Sequence, residues 1–271
     1  MLQLEVKNIS KRFGGIEAIR DLDFGVKAGE ILALIGPNGA GKSTVFNCIN
    51  GIYRPEEGSI LFQGQDMVGL KPHRIARLGI ARTFQNIALF SNMTVLDNLL
   101  LGRNPSLSAG VLWGGLFYGK ALREELESRR GVEEIIDFLE IERHRKTPVG
   151  ALPFGVQKRV ELGRALAMKP RILLLDEPVA GMNEEETEDM ARFIIDIKEE
   201  LGVTILIVEH DMGVVMDISD RVVVINFGLK IAEGVPAEIV RNPLVIQAYL
   251  GEQGASPSAA AKPPLSQGAV S

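Results

Sequence analysis

Short runs of apolar residues, some of them alternating with polar ones, recur along the chain and predict β-strands. In the first 85 residues the predicted strands are Leu2–Ile9, Leu22–Val26, Ile31–Ile35 and Ser59–Phe62. Later apolar runs occur at Ile172–Leu175, Val203–Val208 and Val222–Ile225. Because helical stretches separate these later runs, the pattern predicts a parallel α/β sheet with both faces covered.

The region between the two sets of strands, residues 86 to about 168, has mostly helical patterns. Its segment Lys120–Arg145 is dense in Glu and Arg and places four apolar residues on one recurring face: Leu126, Ile135, Ile136 and Leu139. The charges on this segment indicate a solvated helix face rather than a binding site. The predicted organisation is one folded unit at 1–251, with a core at about 1–85 and 169–251 and a helical subdomain at about 86–168.

The C-terminal segment, residues 252–271, differs in composition from the rest of the chain. It is rich in Ala, Pro, Ser and Gly and has almost no large apolar residues. Such a segment cannot bury enough apolar surface to offset the entropy lost on ordering. It is therefore predicted to be a disordered tail.

Composition and charge exclude several classes of protein. The chain is 46% hydrophobic and 24% charged, as ordinary globular proteins are, and its formal net charge of -5 argues against a general nucleic-acid binder. One cysteine, Cys48, excludes an internal disulfide and favours a reducing compartment; it is predicted to be a small buried hydrophobe. No secretory signal and no apolar run of roughly 20 residues is present, so we expect a peripheral subunit if the chain works at a membrane.

One glycine-rich segment matches the phosphate-binding pattern GxxxxGK[ST] at every position. Its residues are Gly36, Pro37, Asn38, Gly39, Ala40, Gly41, Lys42, Ser43 and Thr44. It follows a predicted strand and precedes a helical run, Thr44–Ile49, which is the context that the pattern requires. Successive backbone N–H groups and a helix N-terminus would point at a phosphate, Lys42 would add a positive charge, and Ser43 would bind Mg²⁺.

Two acidic residues follow the strand predicted at Ile172–Leu175. Strands of a parallel sheet end at one edge, so Asp176 is expected near the phosphate loop as a magnesium ligand, directly or through water. Glu177 is placed to polarise a water for attack on a γ-phosphate, as a general base. Taken alone, the two acids could also be a polar cap on a strand end.

A histidine and a glutamine complete the candidate chemistry. His210 follows the strand predicted at Val203–Val208 and is a candidate for hydrogen bonding to the γ-phosphate or to the attacking water. Gln85, in the run RTFQ, lies where the first group of strands passes into the helical region. Its amide could reach the magnesium ion or the water.

The order of these motifs resembles that of an ABC-family ATPase. The phosphate loop, RTFQ, a helical insertion, LPFGVQKRVELGRAL, ILLLDEP and VEHD cover nearly the whole chain except the tail. The resemblance implies an α/β P-loop NTPase with a RecA-like parallel core, an antiparallel β subdomain and a helical subdomain. It also implies ATP and Mg²⁺ as ligands, with Gln85 and Asp176 near the metal, Glu177 as catalytic base and His210 as switch histidine. Phe13 matches the aromatic residue that stacks on adenine, but it could otherwise be an ordinary strand-end core residue.

The chain departs from the family pattern at two places. The signature, typically Leu-Ser-Gly-Gly-Gln, here reads LPFGV from Leu152 and is followed by Gln157, so the serine hydroxyl is missing. Gly155 and the N-terminus of the following helix remain and are expected to bind the phosphate of a partner subunit, with Gln157 beside them. The second departure is Asn183, which stands where the family normally has an aspartate.

The resemblance also implies partners. A signature helix of this family faces the phosphate loop of a second cassette, so the chain is expected to pair with a copy of itself or with a paralogue. Two transmembrane permease subunits, and indirectly a solute-binding protein, are expected beyond that, with the chain peripheral on the cytoplasmic face of the inner membrane. The phrases KRFGGIEAI, RTFQNIALF and PVAGMNEEE, and the insertion from Asn104 to Lys120, resemble the G-type cassettes of branched-chain amino-acid importers.

Other functions remain open at this stage. A P-loop kinase or GTPase would share the phosphate loop but would not explain LPFGVQKRVELGRAL, and a non-transport ABC protein usually has two cassettes or a long coiled coil. A lipid or lipopolysaccharide exporter cassette is the closest alternative. A nucleotide-binding regulator without hydrolysis is less consistent with Glu177. The transported solute rests on resemblance alone, because no cassette residue is expected to touch it.

Overall fold

Ten strands form two sheets in the computed structural model, which describes residues 1–85, 87–103 and 120–253. The strands are β1 (Leu2–Phe13), β2 (Ile16–Lys27), β3 (Ile31–Ile35), β4 (Glu57–Phe62), β5 (Gln65–Asp66), β6 (Ile80–Arg82), β7 (Ile172–Asp176), β8 (Thr204–Val208), β9 (Arg221–Asn226) and β10 (Leu229–Gly234). The α-helices are α1 (Lys42–Ile49), α2 (Pro72–Arg77), α3 (Val95–Gly102), α4 (Lys120–Phe138), α5 (Phe154–Ala167), α6 (Glu184–Glu199), α7 (Met212–Ile218), α8 (Pro236–Ile239) and α9 (Pro243–Gln253). Two short 3₁₀ turns, Glu142–His144 and Val149–Ala151, lie between α4 and α5.

The smaller sheet is antiparallel and has the strand order β2-β1-β4-β5. β1 and β2 form a long hairpin in which Phe13 lies opposite Ile16 across a two-residue turn. Both strands extend beyond the predicted ranges because their polar residues alternate with buried ones on a half-covered surface. This sheet confirms the predicted antiparallel part of the fold.

The larger sheet has the strand order β10-β9-β3-β8-β7-β6. All its pairs are parallel except β10 with β9. β3, β7 and β8 are buried at every residue, as expected for strands covered on both faces. The predicted parallel α/β core is therefore confirmed. β6 and β10 were not predicted, since β6 has only three residues and β10 is only partly buried.

Two apolar cores lie on opposite faces of this sheet, because successive side chains of a strand point to opposite faces. In β3, Ile31, Ala33 and Ile35 pack into the core formed with α3–α7, together with Phe193 of α6. Leu32 and Leu34 pack into the other core, with α1 and the antiparallel sheet. Cys48 of α1 is buried in that second core, and burial raises the pKa of its thiol to about 11, which agrees with the predicted unreactive role.

The predicted helix at Lys120–Arg145 is shorter than expected, and one of its four apolar positions is wrong. α4 ends at Phe138, and Glu140 has a left-handed backbone (φ 56°) that stops the helical turn. Ile136 and Leu139 are buried and Ile135 is partly buried in the helical core, but Leu126 is 58% exposed. Periodicity identifies an apolar face but not how far along the helix another element covers it.

The C-terminal end of the described chain is helical. α9 continues to Gln253, two residues into the segment that was predicted as a disordered tail, and residues 254–271 lie outside the described residues. Most of the insertion at Asn104–Lys120 lies outside them as well. In the part of the chain that is described, every helix is too short or too polar to cross a bilayer.

A buried asparagine closes the loop that leads into α3. The Asn98 side chain, 0% exposed, donates to the carbonyls of Phe90 (3.1 Å), Met93 (3.3 Å) and Thr94 (3.0 Å) and accepts from the Phe90 N–H (2.9 Å). Asn98→Ala removes all four side-chain bonds and leaves the buried Phe90 N–H without its acceptor, and we expect it to lower the free energy of unfolding by about 2–4 kcal/mol. Denaturant unfolding measures the loss. The control is Asn92→Ala, an exposed position in the same loop, and an equal effect of the two variants would contradict the assignment.

Candidate functional site

A cleft of about 310 Å³ opens at the carboxyl edge of the parallel strands. It brings together the phosphate loop, Gln85, Glu177 and His210, which are far apart in sequence. The residues lining it are Ala18, Asn38, Gly39, Ala40, Gly41, Lys42, Ser43, Thr44, Gln85, Glu177 and His210. Gly36 and Pro37, the first two residues of the phosphate loop, are buried and do not line the cleft. Four other predicted site residues do not line it either: Phe13, Asp176, Gly155 and Gln157.

The phosphate loop is a tight turn between β3 and α1. At its last position before the helix, only glycine can adopt the required backbone conformation. Gly41 has φ 107°, and a Cβ there would lie 2.5 Å from the carbonyl oxygen of Ala18. The Lys42 Nζ donates to the carbonyls of Gly36 (2.6 Å) and Pro37 (2.9 Å). The first N–H groups of α1 therefore open onto the cleft with a cation beside them, an arrangement suited to an anion.

Both carboxylate oxygens of Glu177 are engaged by the other two candidate catalytic residues. Gln85 Nε2 donates to Glu177 Oε2 over 2.8 Å, and His210 Nε2 lies 2.9 Å from Glu177 Oε1. Glu177 itself has a left-handed backbone (φ 51°), which costs an L-residue roughly 1–2 kcal/mol. Its N–H donates to the Val208 carbonyl at 2.8 Å, and this bond holds the strained residue beside the end of β8.

A buried glutamate under the histidine connects two loops of the site. Glu209 is 2% exposed; its Oε1 accepts from the Val179 N–H (3.0 Å), and its Oε2 accepts from the N–H groups of His210 (2.8 Å) and Asp211 (3.3 Å). Burial raises the pKa of Glu209, and the three N–H groups partly offset that effect. Asp211 in turn caps α7 through its bond to the Val214 N–H. Glu209 thus fastens the loop after Glu177 to the loop of His210.

Asp176, the expected magnesium ligand, is buried beside a cation. Arg82 Nη2 lies 2.7 Å from Asp176 Oδ2, and the two side chains are 8% and 5% exposed. The oxygens of Ser43, Gln85 and Asp176 are hard donors of the kind that Mg²⁺ prefers, so the residue types present fit that ion. Ser43 and Gln85 reach the cleft directly, whereas one oxygen of Asp176 is already bound to Arg82.

Three side chains of α5 bind backbone groups of Phe84, Gln85 and Ala88, which we call the Gln85 segment. Lys158 donates to the Gln85 carbonyl (3.2 Å), Glu161 accepts from the N–H groups of Phe84 and Ala88 (3.4 Å each), and Arg164 donates to the Ala88 carbonyl (2.6 Å). The spacing of three residues keeps them near one face of the helix. Burial raises the pKa of Glu161 and lowers that of Arg164.

The same helix begins at the altered signature. Pro153 precedes its first residue, Phe154, and Gly155 is buried so tightly that a Cβ would lie 2.3 Å from Glu186 Oε1. The N–H groups of the first turn have no partners within the helix, as at any helix start. Gln157, however, turns its amide back to donate to the Leu152 carbonyl at 2.8 Å.

Asn183 has a structural task at the start of α6. Its side chain accepts from the Glu186 N–H (2.9 Å) and Glu186 Oε2 accepts from the Asn183 N–H (3.1 Å), which is a complete capping box.

Phe13, at the end of β1, is 42% exposed and meets the Tyr53 ring edge-on at 5.0 Å. The ammonium of Lys11 also lies over the Phe13 ring, 5.2 Å from its centroid.

Sequence analysis assigned no role to Arg82 or Glu209, although both stand inside motifs that it singled out. RTFQ begins with Arg82, and VEHD contains Glu209. Their importance arises from partners 94 and 30 residues away, which no local pattern specifies. A charged residue within an otherwise apolar strand end was the available signal for both.

Two family profiles match the chain. The profile described as ABC transporter matches residues 19–180, and one described as branched-chain amino acid ATP-binding cassette transporter matches residues 230–255. The first spans more than half of the chain and includes the phosphate loop, the signature and both acids. The second matches β10 and the C-terminal helices.

Relatives of known name are similar over almost their whole length. The high-affinity branched-chain amino acid transport ATP-binding protein BraF of Pseudomonas aeruginosa is 44% identical over 250 residues, which cover 92% of this chain and 98% of that protein. LivG of Escherichia coli, which has the same description, is 43% identical over 252 residues with the same coverage.

Solved structures with the same fold are also ATP-binding cassettes. The ADP conformation of MJ1267, an ATP-binding cassette of an ABC transporter, superposes with a TM-score of 0.81 at 34% identity, covering 93% of this chain and 99% of that one. The dimeric structure of MJ0796, a bacterial ABC transporter cassette, gives a TM-score of 0.73 at 26% identity, with coverage of 86% and 98%.

The three bonds to Glu209 make a prediction about stability. In Glu209→Gln, the amide nitrogen cannot accept the N–H groups that an ionised oxygen accepts, so we expect the free energy of unfolding at neutral pH to fall by about 2 kcal/mol. Denaturant unfolding at constant ionic strength measures the change. Glu188→Gln, at an exposed position of α6, is the control and should change stability little. A Glu209→Gln variant as stable as the control would refute the connecting role of Glu209.

Proposed function

This chain belongs to the ABC transporter family of ATP-binding proteins, and from that premise we propose that it hydrolyses ATP to drive import of branched-chain amino acids through separate membrane subunits. The similarity to BraF and LivG, two branched-chain amino acid transport proteins that are 44% and 43% identical over most of the chain, supports this choice of solute. The proposed chemistry is supported by the residues of the chain itself.

One observation carries the proposal of hydrolysis: Glu177 meets Gln85 and His210 at the mouth of a cleft bounded by the phosphate loop. A carboxylate there can accept a proton from a water, and its partners can orient that water. A regulator that only binds nucleotide needs the loop but not this group of three. The arrangement therefore favours an ATPase over a nucleotide sensor.

In this proposal, loop residues 36–44 and Phe13 bind ATP. Backbone N–H groups of the loop and of the first turn of α1 would donate to phosphate oxygens, and Lys42 would exchange the carbonyls of Gly36 and Pro37 for the terminal phosphates. The exposed Phe13 ring would stack on adenine. Ser43, Gln85 and Asp176 would hold Mg²⁺, which would supply charge neutralisation to the bound nucleotide.

The hydrolytic step needs a rearrangement around Glu177. The attacking water takes the place of Gln85 and His210 at the carboxylate of Glu177. Glu177 accepts a proton from that water, and the water oxygen bonds to the γ-phosphorus. The bond from that phosphorus to the β–γ bridging oxygen breaks, which leaves ADP and phosphate. His210 and Gln85, released from Glu177, donate to the γ-phosphate and to the water.

A second cassette completes the proposed site. Residues 153–157 do not line the cleft of their own chain, so the N-terminus of α5 is left to act on nucleotide bound elsewhere. We assign Gly155, and Gln157 through its hold on Leu152, to the phosphate of a partner cassette, identical or paralogous. The dimer of MJ0796 is a precedent for such pairing. The serine that the signature lacks makes this contact depend on backbone N–H groups alone.

Coupling to transport would follow the division into a core and a helical subdomain. α5 starts at the signature and holds the Gln85 segment with Lys158, Glu161 and Arg164, so a displacement of this helix moves both. The two membrane subunits would dock beside that segment, with the cassette peripheral on the cytoplasmic face of the membrane and a solute-binding protein on the other side. The tail after residue 253 has no assigned part in this scheme.

Replacing the proposed base, Glu177, tests both ATP hydrolysis and ATP-dependent dimerisation. Glu177→Gln keeps the size of the side chain but cannot take a proton, so we expect ATPase activity to fall about 100-fold or more. ATP and Mg²⁺ should then trap a dimer that gel filtration separates from the monomer. Glu199→Gln, at the exposed end of α6, should leave both properties unchanged. A Glu177→Gln chain that stays monomeric with ATP and Mg²⁺ would contradict the proposed mechanism.

Transport tests the proposed solute. Vesicles containing the chain with its co-purified membrane subunits receive ATP on the cassette side and binding protein on the other, and labelled leucine is followed. We expect ATP-dependent movement of leucine that Glu177→Gln abolishes and Glu199→Gln does not. ATP hydrolysis without leucine transport would keep the ATPase and reject the importer, and lipid export would be the next activity to measure.

A further inference from the structure

Arg82 is a buried cation placed on the carboxylate that is expected to bind magnesium. β6 and β7 are parallel neighbours with Arg82 opposite Leu174, so the guanidinium reaches the end of β7, where Asp176 lies. The 2.7 Å contact involves one oxygen of Asp176, Oδ2. Breaking a buried ion pair by removing one partner is costly, and Arg82 is the cation that pairs with this carboxylate.

The guanidinium is itself held by groups of the nucleotide site. Its Nη1 donates to Asn47 Oδ1 of α1 over 2.7 Å, and its Cζ lies 5.4 Å from the centroid of the Phe46 ring and 5.2 Å from that of the Phe84 ring. Its Nε has no hydrogen-bond partner among the described residues. The planar fork thus bridges the helix of the phosphate loop and the strand of the magnesium ligand, two contacts that a single ammonium cannot reproduce.

We propose that Arg82 is a positioning residue that holds Oδ2 of Asp176 and thereby turns the carboxylate so that its second oxygen, Oδ1, is available to Mg²⁺. This role rests on the proposed function, because it requires magnesium to arrive with the nucleotide. Outer-shell partners of this kind orient the ligands they touch, and their loss typically lowers metal affinity about 10–100-fold. Arg82 does not touch the nucleotide in this assignment, so its effect passes only through the metal.

The test separates nucleotide affinity with and without the metal. Binding of a fluorescent ADP analogue to the full chain is titrated in excess Mg²⁺ and in excess EDTA, and the ratio of the two Kd values is the magnesium-dependent gain. We expect Arg82→Met to reduce this gain about tenfold while leaving the Kd in EDTA unchanged. Arg82→Lys should lie between the two chains, because it keeps the charge but loses the fork.

Two further variants show whether the effect passes through Asp176. In an Asp176→Asn background, Arg82→Met should reduce the gain no further, as expected for residues that act as a unit. The control for loss of a buried ion pair is Arg221→Met. Arg221 pairs with Glu30 at 2.6 Å, at the amino end of the parallel strands away from the cleft, and its replacement should leave the gain unchanged.

Several outcomes would overturn the assignment. These are an unchanged gain in folded Arg82→Met, an equal loss in Arg221→Met, and a further loss in the Asp176→Asn background. If Arg82→Met does not fold, Arg82→Lys and Asn47→Leu, which removes the acceptor of Nη1, should show smaller losses of the same sign, and their absence would also reject it. A wild-type chain that gains nothing from magnesium would instead overturn the proposed function, and the role of Arg82 with it.

Discussion

The hydrogen-bonded register of the parallel strands β6, β7 and β8 determines where the proposed site residues that follow these strands can lie. β7 pairs with β8 so that Asp176 is opposite Val208, and β6 pairs with β7 so that Arg82 is opposite Leu174. Each strand therefore ends at one edge, and the residue that follows it emerges beside its neighbours. A slip of one residue in either pair would turn these side chains to the other face of the sheet.

The acids at that edge are alike in type but are held differently. Asp176 is buried against an arginine, Glu177 lies at the cleft between a glutamine and a histidine, and Glu209 is buried under three N–H groups. Asp176 pairs with a buried cation, whereas burial among N–H donors leaves the pKa of Glu209 raised. The strained backbone of Glu177, fixed by its bond to Val208, keeps the proposed base at the mouth of the cleft.

The helix α5 connects two parts of the proposed site. It joins the altered signature to the Gln85 segment, and its buried Lys158 and Glu161 bind backbone groups of that segment rather than solvent. Buried charged side chains with backbone partners hold a loop more firmly than surface ion pairs do, because they have lost their water. In the proposed mechanism, a shift of α5 against the parallel sheet would carry Gln85 with it and change what Glu177 can bind.

The sequence by itself determined the parallel core, the phosphate loop and the acids and histidine that follow β7 and β8, because these depend on local patterns: apolar strand runs, glycine spacing and polar residues at strand ends. Tertiary structure alone decided how those residues are paired. Arg82 meets Asp176 across 94 residues of chain, Gln157 turns back onto its own helix start, and Leu126 stays exposed although it continues the apolar periodicity of α4. These pairings and exposures depend on which elements the fold brings together, and therefore on which groups lie next to each charged or apolar side chain. Local residue spacing does not encode these tertiary neighbours.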